Sequence, residues 1–353
     1  MAKRSTASWD GFFTIFFRFC LLVGVGVASP GANALTSRDI GLVINTADPY
    51  SVEVGEFYIQ ARKLTPEQVL RVEFPVKASL TPEEFEHLKT EIDARFNGGT
   101  QALALAWKMP YAVACNSITA AVTMGYDPTP CEQTRTCFTT KPSSYFDSRS
   151  LKPYSSFGMR LSMLLAATDV AGAKALIERG VVSDRSLLRR GAPSTNAYFV
   201  VTKDRDRNSR APLFPPSGPI QGSGVVVRTE RTQAIEGVEH LVLYETGAIQ
   251  VDKLDTLKWV PGALADHLTS FGGQLDGKSG QMSILDWIAS GATASYGTVS
   301  EPCAFQQKFP HPKVLLSSYL MGSTAIEAYW RSVAWPQQGL FIGEPLAAPF
   351  ARR

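Results

Sequence analysis

Ile40-Gly41-Leu42-Val43-Ile44-Asn45 opens the stretch that decides the fold. It is a short apolar run, the pattern of a strand buried on both faces. Asp48-Pro49 and Ser51 then start a helix that runs to about Lys63, with Val54, Phe57, Tyr58 and Ala61 on one face. Val69 to Phe74 reads as a second strand. Thr81-Pro82-Glu83-Glu84 starts a second helix: a capping hydroxyl, proline at the first helical position, and acids where the helix dipole favours them. That helix stops at Asn97-Gly98-Gly99, and Ala102 to Trp107 is a third strand. The β-α-β-α-β order predicts a mostly parallel sheet with helices on both faces, a three-layer α/β architecture.

Further along, Gly158 to Arg179 reads as helix, Tyr198 to Thr202 as strand, and residues 203–224 as a polar Pro- and Gly-rich segment. Leu241 to Glu245 is a strand ending at Thr246-Gly247, and Gly262 to Thr269 leads into a polar turn. Gln281 to Ala289 is a helix, Ala292 to Val299 a strand of small residues, and 314–320 with 324–333 a closing helical pair. The aromatic set Tyr329, Trp330, Trp335 and Phe341 is read as core rather than as a carbohydrate platform. With no repeats and no clear linker, residues 35–353 are expected to form one domain, with a long Pro/Thr/Ser-rich insertion near 126–158.

The chain has 353 residues, 44% hydrophobic and 19% charged, with a net charge of +3. That composition suits a globular protein with a full core. The basic residues are spread out, with only local clusters such as Arg205, Arg207 and Arg210, so nothing points to a nucleic-acid partner. Lys3, Arg4 and Arg18 precede the apolar run Phe19 to Ala28, and Ala32-Asn33-Ala34 places small residues where a signal peptidase reads them. Residues 1–34 are therefore expected to be a signal peptide cut after Ala34, leaving an exported, periplasmic or extracellular protein with no membrane span. The alternative, a membrane anchor, is disfavoured by the shortness of the run.

Of the five cysteines, Cys20 leaves with the leader, and Cys115, Cys131, Cys137 and Cys303 remain. In an oxidising compartment an even number implies bridges. A local Cys131–Cys137 bridge is the simplest expectation, with Cys115 and Cys303 then paired or both free. No cysteine or histidine pair has metal-ligand spacing, so no metal and no cofactor is expected.

Candidate chemistry gathers between Asp266 and Cys303. Asp266, His267 and Ser270 stand beside Gly272-Gly273, so a serine, a base and backbone donors for an oxyanion are all at hand. Adjacent side chains on a strand point to opposite faces, however, and this is no Gly-x-Ser-x-Gly elbow. His267 then reads first as a half-buried structural histidine, with Ser270 capping the turn. Cys303 with His311 is a possible nucleophile and base, although export favours a disulfide. Asn116 follows a strand and, with Glu301 and His311, is a candidate ligand-binding residue at strand carboxyl ends. Tyr145-Phe146-Asp147 in the insertion reads as a lid, a recognition surface or a disordered loop.

The blocks Leu42-Val43-Ile44-Asn45 with Ala47-Asp48-Pro49, Asn116-Ser117-Ile118-Thr119, Tyr145-Phe146-Asp147-Ser148, Asp266 to Gly273, Gly291 to Cys303, Ala328-Tyr329-Trp330 and Trp335 to Pro345 resemble an uncharacterised family of exported bacterial proteins. Residues 240–346 also resemble gingipain-like cysteine peptidases of the caspase-type fold. In those, one strand ends in a Gly-His-Gly-type turn and the next in the nucleophilic Cys. Tyr244-Glu245-Thr246-Gly247 is similar to the first strand end, and Asp266 to Gly273 sits where the second should be. Gly291-Ala292 to Thr298, Gly322-Ser323-Thr324 to Glu327-Ala328, and Gly343-Glu344-Pro345 are similar to the elements that follow. No His lies in the turn 244–250 and no Cys in 266–273. The resemblance implies a caspase/gingipain-like sheet without its catalytic dyad, which binds a peptide, a small-molecule ligand or an envelope partner. The alternative is a hydrolase with a rearranged site, with His267 as base and Ser270 or Cys303 as nucleophile.

Overall fold

A computed structural model describes residues 34–132 and 137–352. The leader expected over residues 1–34 therefore lies outside the described residues, except for Ala34. The strands are β1 (Ile40–Asn45), β2 (Val69–Val72), β3 (Ser79–Leu80), β4 (Ala102–Leu105), β5 (Ala112–Val113), β6 (Asn116–Ser117), β7 (Leu161–Leu164), β8 (Thr195–Val200), β9 (Gly218–Ile220), β10 (Val225–Glu230), β11 (Leu241–Gly247), β12 (Trp259–Leu268), β13 (Ala294–Thr298) and β14 (Gly339–Gly343). The helices are α1 (Pro49–Arg62), α2 (Pro82–Arg95), α3 (Ile118–Met124), α4 (Thr129–Glu132), α5 (Pro153–Phe157), α6 (Val170–Ser183), α7 (Ile284–Ser290), α8 (Pro312–Leu320) and α9 (Ala325–Ser332).

Eleven strands form one sheet in the order β2-β1-β4-β7-β14-β13-β12-β11-β8-β10-β9. From β2 to β14 the strands are mutually parallel, and so are those from β13 to β10. The two groups meet antiparallel at β13 and β14, where Tyr296 faces Phe341. The sheet is thus two parallel halves running in opposite directions, flanked by helices in a three-layer α/β fold. From Ala34 on, the described residues belong to one compact unit.

The β-α-β-α-β reading of residues 40–107 holds, because each helix start carries its own cap. Asp48 accepts from the Tyr50 N–H, and Thr81 with Glu84 closes a capping box around the start of α2. The helix read from Gly158 to Arg179 is corrected: Leu161–Leu164 is strand β7, and α6 begins only after Asp169, whose side chain accepts from Gly172 N–H at 2.8 Å. A four-residue apolar run has no period long enough to tell a buried strand from a helix. β7 lies between β4 and β14, and the Ser162 hydroxyl is kept from isolation by the Thr119 carbonyl at 2.8 Å. The sequence reading also passed over β14, a Gly-bounded central strand. Three of the four aromatics are core: Tyr329, Trp330 and Phe341 are fully buried, the last two stacked at 4.2 Å, whereas Trp335 is half-buried and edge-on to Phe305 at 5.7 Å.

The cysteine pairing is corrected as well. Cys115 bonds Cys131 and Cys137 bonds Cys303, with Cα–Cα distances of 5.5 and 5.4 Å. Both bridges therefore hold the first third of the insertion, Cys131 to the segment before α3 and Cys137 to the turn after β13. Tertiary approach, not sequence proximity, selected the partners. Among the described residues no helix is long and apolar enough to cross a membrane.

The Cys137–Cys303 bridge closes a loop 166 residues long. Long loops lose the most unfolded-state entropy when closed. Replacing both cysteines by serine is expected to cost about 2–5 kcal/mol, read by urea unfolding. Peptide mapping without reduction should find fragments linked 115 to 131 and 137 to 303, and a 131–137 link would refute the assignment.

Candidate functional site

β11 and β12 run side by side in parallel, with Glu245 opposite Asp266 and Gly247 opposite Leu268. Asp266 is in turn opposite Tyr296 on β13. Register partners share a face, so Glu245, Asp266 and Tyr296 form a row across three strands. Both carboxylates are fully buried. The single cation that meets them is Arg210, itself 1% exposed, on the polar segment between β8 and β9.

Arg210 holds Asp266 at 2.6 Å and stands 3.7 Å from Glu245. Its guanidinium also donates to the Pro310 carbonyl at 3.0 Å and the Thr246 carbonyl at 3.1 Å. One cation thus faces two acids, close to Asp266 and farther from Glu245, and among the described residues no oxygen of either acid has a well-aligned hydrogen bond. Burial, reinforced by the charge of Asp266, pushes the Glu245 carboxyl well above the usual range. Burial also raises Asp266, against the pull of Arg210. The pair is therefore read as one shared negative charge, with Glu245 the protonated member.

His267 points away from this row and is 1% exposed. Its Nδ1 accepts from the Trp287 indole at 2.9 Å, and its Nε2 lies 3.2 Å from the Met282 carbonyl. The ring is therefore the neutral Nε2–H tautomer, and burial lowers its pKa to about 4. Neither nitrogen is left for a hydroxyl. The expectation of a base at His267 is corrected on that ground: adjacent strand positions face opposite sides, which separates it from Asp266.

Ser270 and Glu301 do come together. With Asp206, Arg207, Thr269 and the Cys303 turn they line a pocket of about 260 Å³ beyond β12 and β13. Arg207 crosses the pocket's edge, paired with Asp204 at 2.9 Å and donating to the Thr269 hydroxyl at 3.2 Å. Glu301 accepts from the Cys303 N–H at 2.7 Å. Cys303, bridged to Cys137, has no thiol to offer as a nucleophile. Of the two donors considered for an oxyanion, the Gly273 N–H is spent on the Thr298 carbonyl at 2.9 Å. Glycine is needed at Gly273 because it packs directly on the Gly297 backbone.

Asn116 sits close by but not in this pocket. The Ser300 hydroxyl donates to the neighbouring Cys115 carbonyl at 2.7 Å, while the Asn116 amide is turned inward to Asp127 and Gln337. His311 sits at the N-cap position of α8 without a side-chain capping bond, and it does not line the pocket. Burial lowers its pKa. A larger pocket of about 680 Å³ lies elsewhere, between Leu35, Lys63, Arg185 and Arg352.

Sequence reasoning missed Arg210, Glu245 and Lys308. Arg210 was visible only as one of a surface-like basic cluster, and Glu245 as the end of a strand. Lys308 is fully buried, its ammonium against the rings of Phe138 and Phe305 at 4.5 and 5.3 Å, and burial lowers its pKa to about 8.

Removing the cation should be severe. Arg210→Met strands two buried acids and is expected to cost about 3–5 kcal/mol, measured by chemical unfolding. Glu245 has the opposite sign. A carboxyl raised in the folded state favours that state while protonated, so its contribution is lost as pH rises from the ordinary carboxylate range through the folded value. Glu245→Gln should therefore match the parent near about pH 4 and melt higher at about pH 8; equal melting at both would refute the protonated assignment. Comparison with protein-family models, curated proteins and solved structures finds no match, so this geometry alone carries the functional reading.

Proposed function

We propose that this is an exported binding protein built on a caspase/gingipain-like sheet whose catalytic strand ends have been closed by its own chain. One observation carries the reading. At the end of β11, where the peptidases place their histidine turn, Gly247 lies directly against the Arg207 carbonyl, and a Cβ there would overlap it. The segment 204–214 fills the space a catalytic histidine would need, and Arg210 locks that segment onto β11 and β12.

Other features support the same reading. Two adjacent parallel strand ends have the arrangement that the resemblance implies. The nucleophile position holds Thr269-Ser270 rather than cysteine. Two disulfides suit an oxidising compartment. What remains open is the pocket at Arg207, Ser270 and Glu301, which with Asp206 and Thr269 offers one cation, two anions and two hydroxyls in a space too small for a large cofactor. Those groups suit a polar side chain or terminus of a peptide partner.

Hydrolysis of a nitrophenyl ester and of labelled casein should not exceed background and should be unaffected by Ser270→Ala. Turnover that disappears with Ser270→Ala would overturn the binding reading. A photo-crosslinking residue at position 270 should capture a peptide-bearing partner in the envelope, and capture should fall at least about tenfold in Arg207→Ala.

A further inference from the structure

We infer that cleavage after Ala34 creates a structural ion pair, in which the new α-ammonium of Leu35 locks onto the buried carboxylate of Glu327. The inference rests on the export reading for the position of the cut. The contact itself is a feature of the fold: the Leu35 backbone nitrogen donates to Glu327 Oε2 at 3.2 Å, 292 residues along the chain. Leu35 is 5% exposed and Glu327 fully buried.

The site is built to hold a donor there. Glu327 Oε2 also accepts from the Thr324 N–H at 3.0 Å and the Thr324 hydroxyl at 2.8 Å, the capping box that starts α9. Arg331, one turn on, stands 3.5 Å from the other oxygen, its guanidinium drawn off to the Ser150 carbonyl at 2.8 Å and to Ser323. The carboxylate's nearest cation is therefore loosely held. The residue after Leu35 is pinned as well: Thr36 donates through its N–H and hydroxyl to Asp39 at 2.8 and 2.7 Å.

In the precursor Leu35 offers one amide proton. After the cut the same nitrogen carries three protons and a charge, and a charge-assisted bond is roughly twice as strong as a neutral one. One proton goes to Glu327, and the 680 Å³ pocket lined by Ala34 and Leu35 leaves the others within reach of water. Because Leu35 is buried in the folded chain, the Ala34–Leu35 bond is cut before this corner closes. Processing thus precedes docking, and docking tightens α9, whose Tyr329 hydroxyl reaches the carbonyls of Ala265 on β12 and Ala294 on β13 at 3.1 and 3.3 Å.

The test compares the disulfide-bonded protein starting at Leu35 with the same protein bearing a removable extension ahead of Leu35. The extension keeps the amide donor and removes the charge. Intact mass of the exported protein should place its first residue at Leu35. The extended form should melt several degrees lower and regain the difference once the extension is removed. The α-amine of the Leu35 form should react with an acylating reagent at least about tenfold more slowly than in the unfolded chain, and Glu327→Gln should abolish that protection. Equal melting of the two forms, or an α-amine that labels at the unfolded rate, would overturn the ion pair. An exported protein beginning at another residue would overturn it through the cut site, an outcome that mass alone reveals.

Discussion

The pairing of β13 with β14 is the constraint on which the rest depends. It is where the two parallel groups of the sheet meet in opposite directions, with Ala294 to Thr298 opposite Gly343 to Gly339. The seam is drawn tight by size: Gly339 lies under the Tyr296 ring and Gly343 against Ala294, and no side chain fits at either position. Tyr296 and Trp330 close on Phe341 at 5.0 and 4.2 Å. Because direction reverses here, the carboxyl ends of the two halves face opposite edges. The strand ends that carry Ser270 and Glu301 belong to one half, and the other half reaches them through the Cys137–Cys303 bridge and the Gln338 amide, which donates to the Glu301 carbonyl at 2.8 Å.

Two buried arginines meet two acids each, with different results. Arg62 holds Glu344 through paired contacts of 2.9 and 2.5 Å and Asp184 at 2.6 Å, and Tyr58 adds a hydrogen bond at 3.0 Å. Both oxygens of Glu344 are used, and the arrangement is that of a structural clamp. Arg210 pairs closely with Asp266 at 2.6 Å and stands farther from Glu245 at 3.7 Å, and among the described residues no oxygen of either acid has a well-aligned hydrogen bond. A buried carboxylate in that state is stabilised by keeping its proton. The two clusters thus differ in how fully their acids are hydrogen-bonded. The second stands beneath the strand ends that the proposed function treats as closed.

The same closure explains how a chain with catalytic-looking residues offers no catalytic geometry. Asp266, His267 and Ser270 are near neighbours in sequence, yet one faces Arg210, one faces Trp287 and one lines the pocket. Strand alternation separates the first two, and the end of β12 separates the third. Cys303 and His311, eight residues apart, are parted by a disulfide on one side and a helix cap on the other.

Local physics alone determined much of this protein. Asp48, Thr81, Thr324 and their partners mark helix starts, since caps act within one turn, and the apolar runs at Ile40 and Ala102 declare buried parallel strands. The polar turn after β12 read as part of a cleft shared by Asn116, Asp266, His267, Ser270, Glu301 and His311, of which only Ser270 and Glu301 line one pocket. What only the tertiary structure decided were the relations between distant segments. The opposed direction of the two half-sheets, the pairing of Cys137 with Cys303, Arg210 beneath β11 and β12, and Leu35 beside Glu327 leave no short-range periodicity or spacing. Charge in a sequence is silent about burial: Arg210 looks like its exposed neighbours until packing removes the water around it, and only then does its pairing with Asp266 and Glu245 become obligatory.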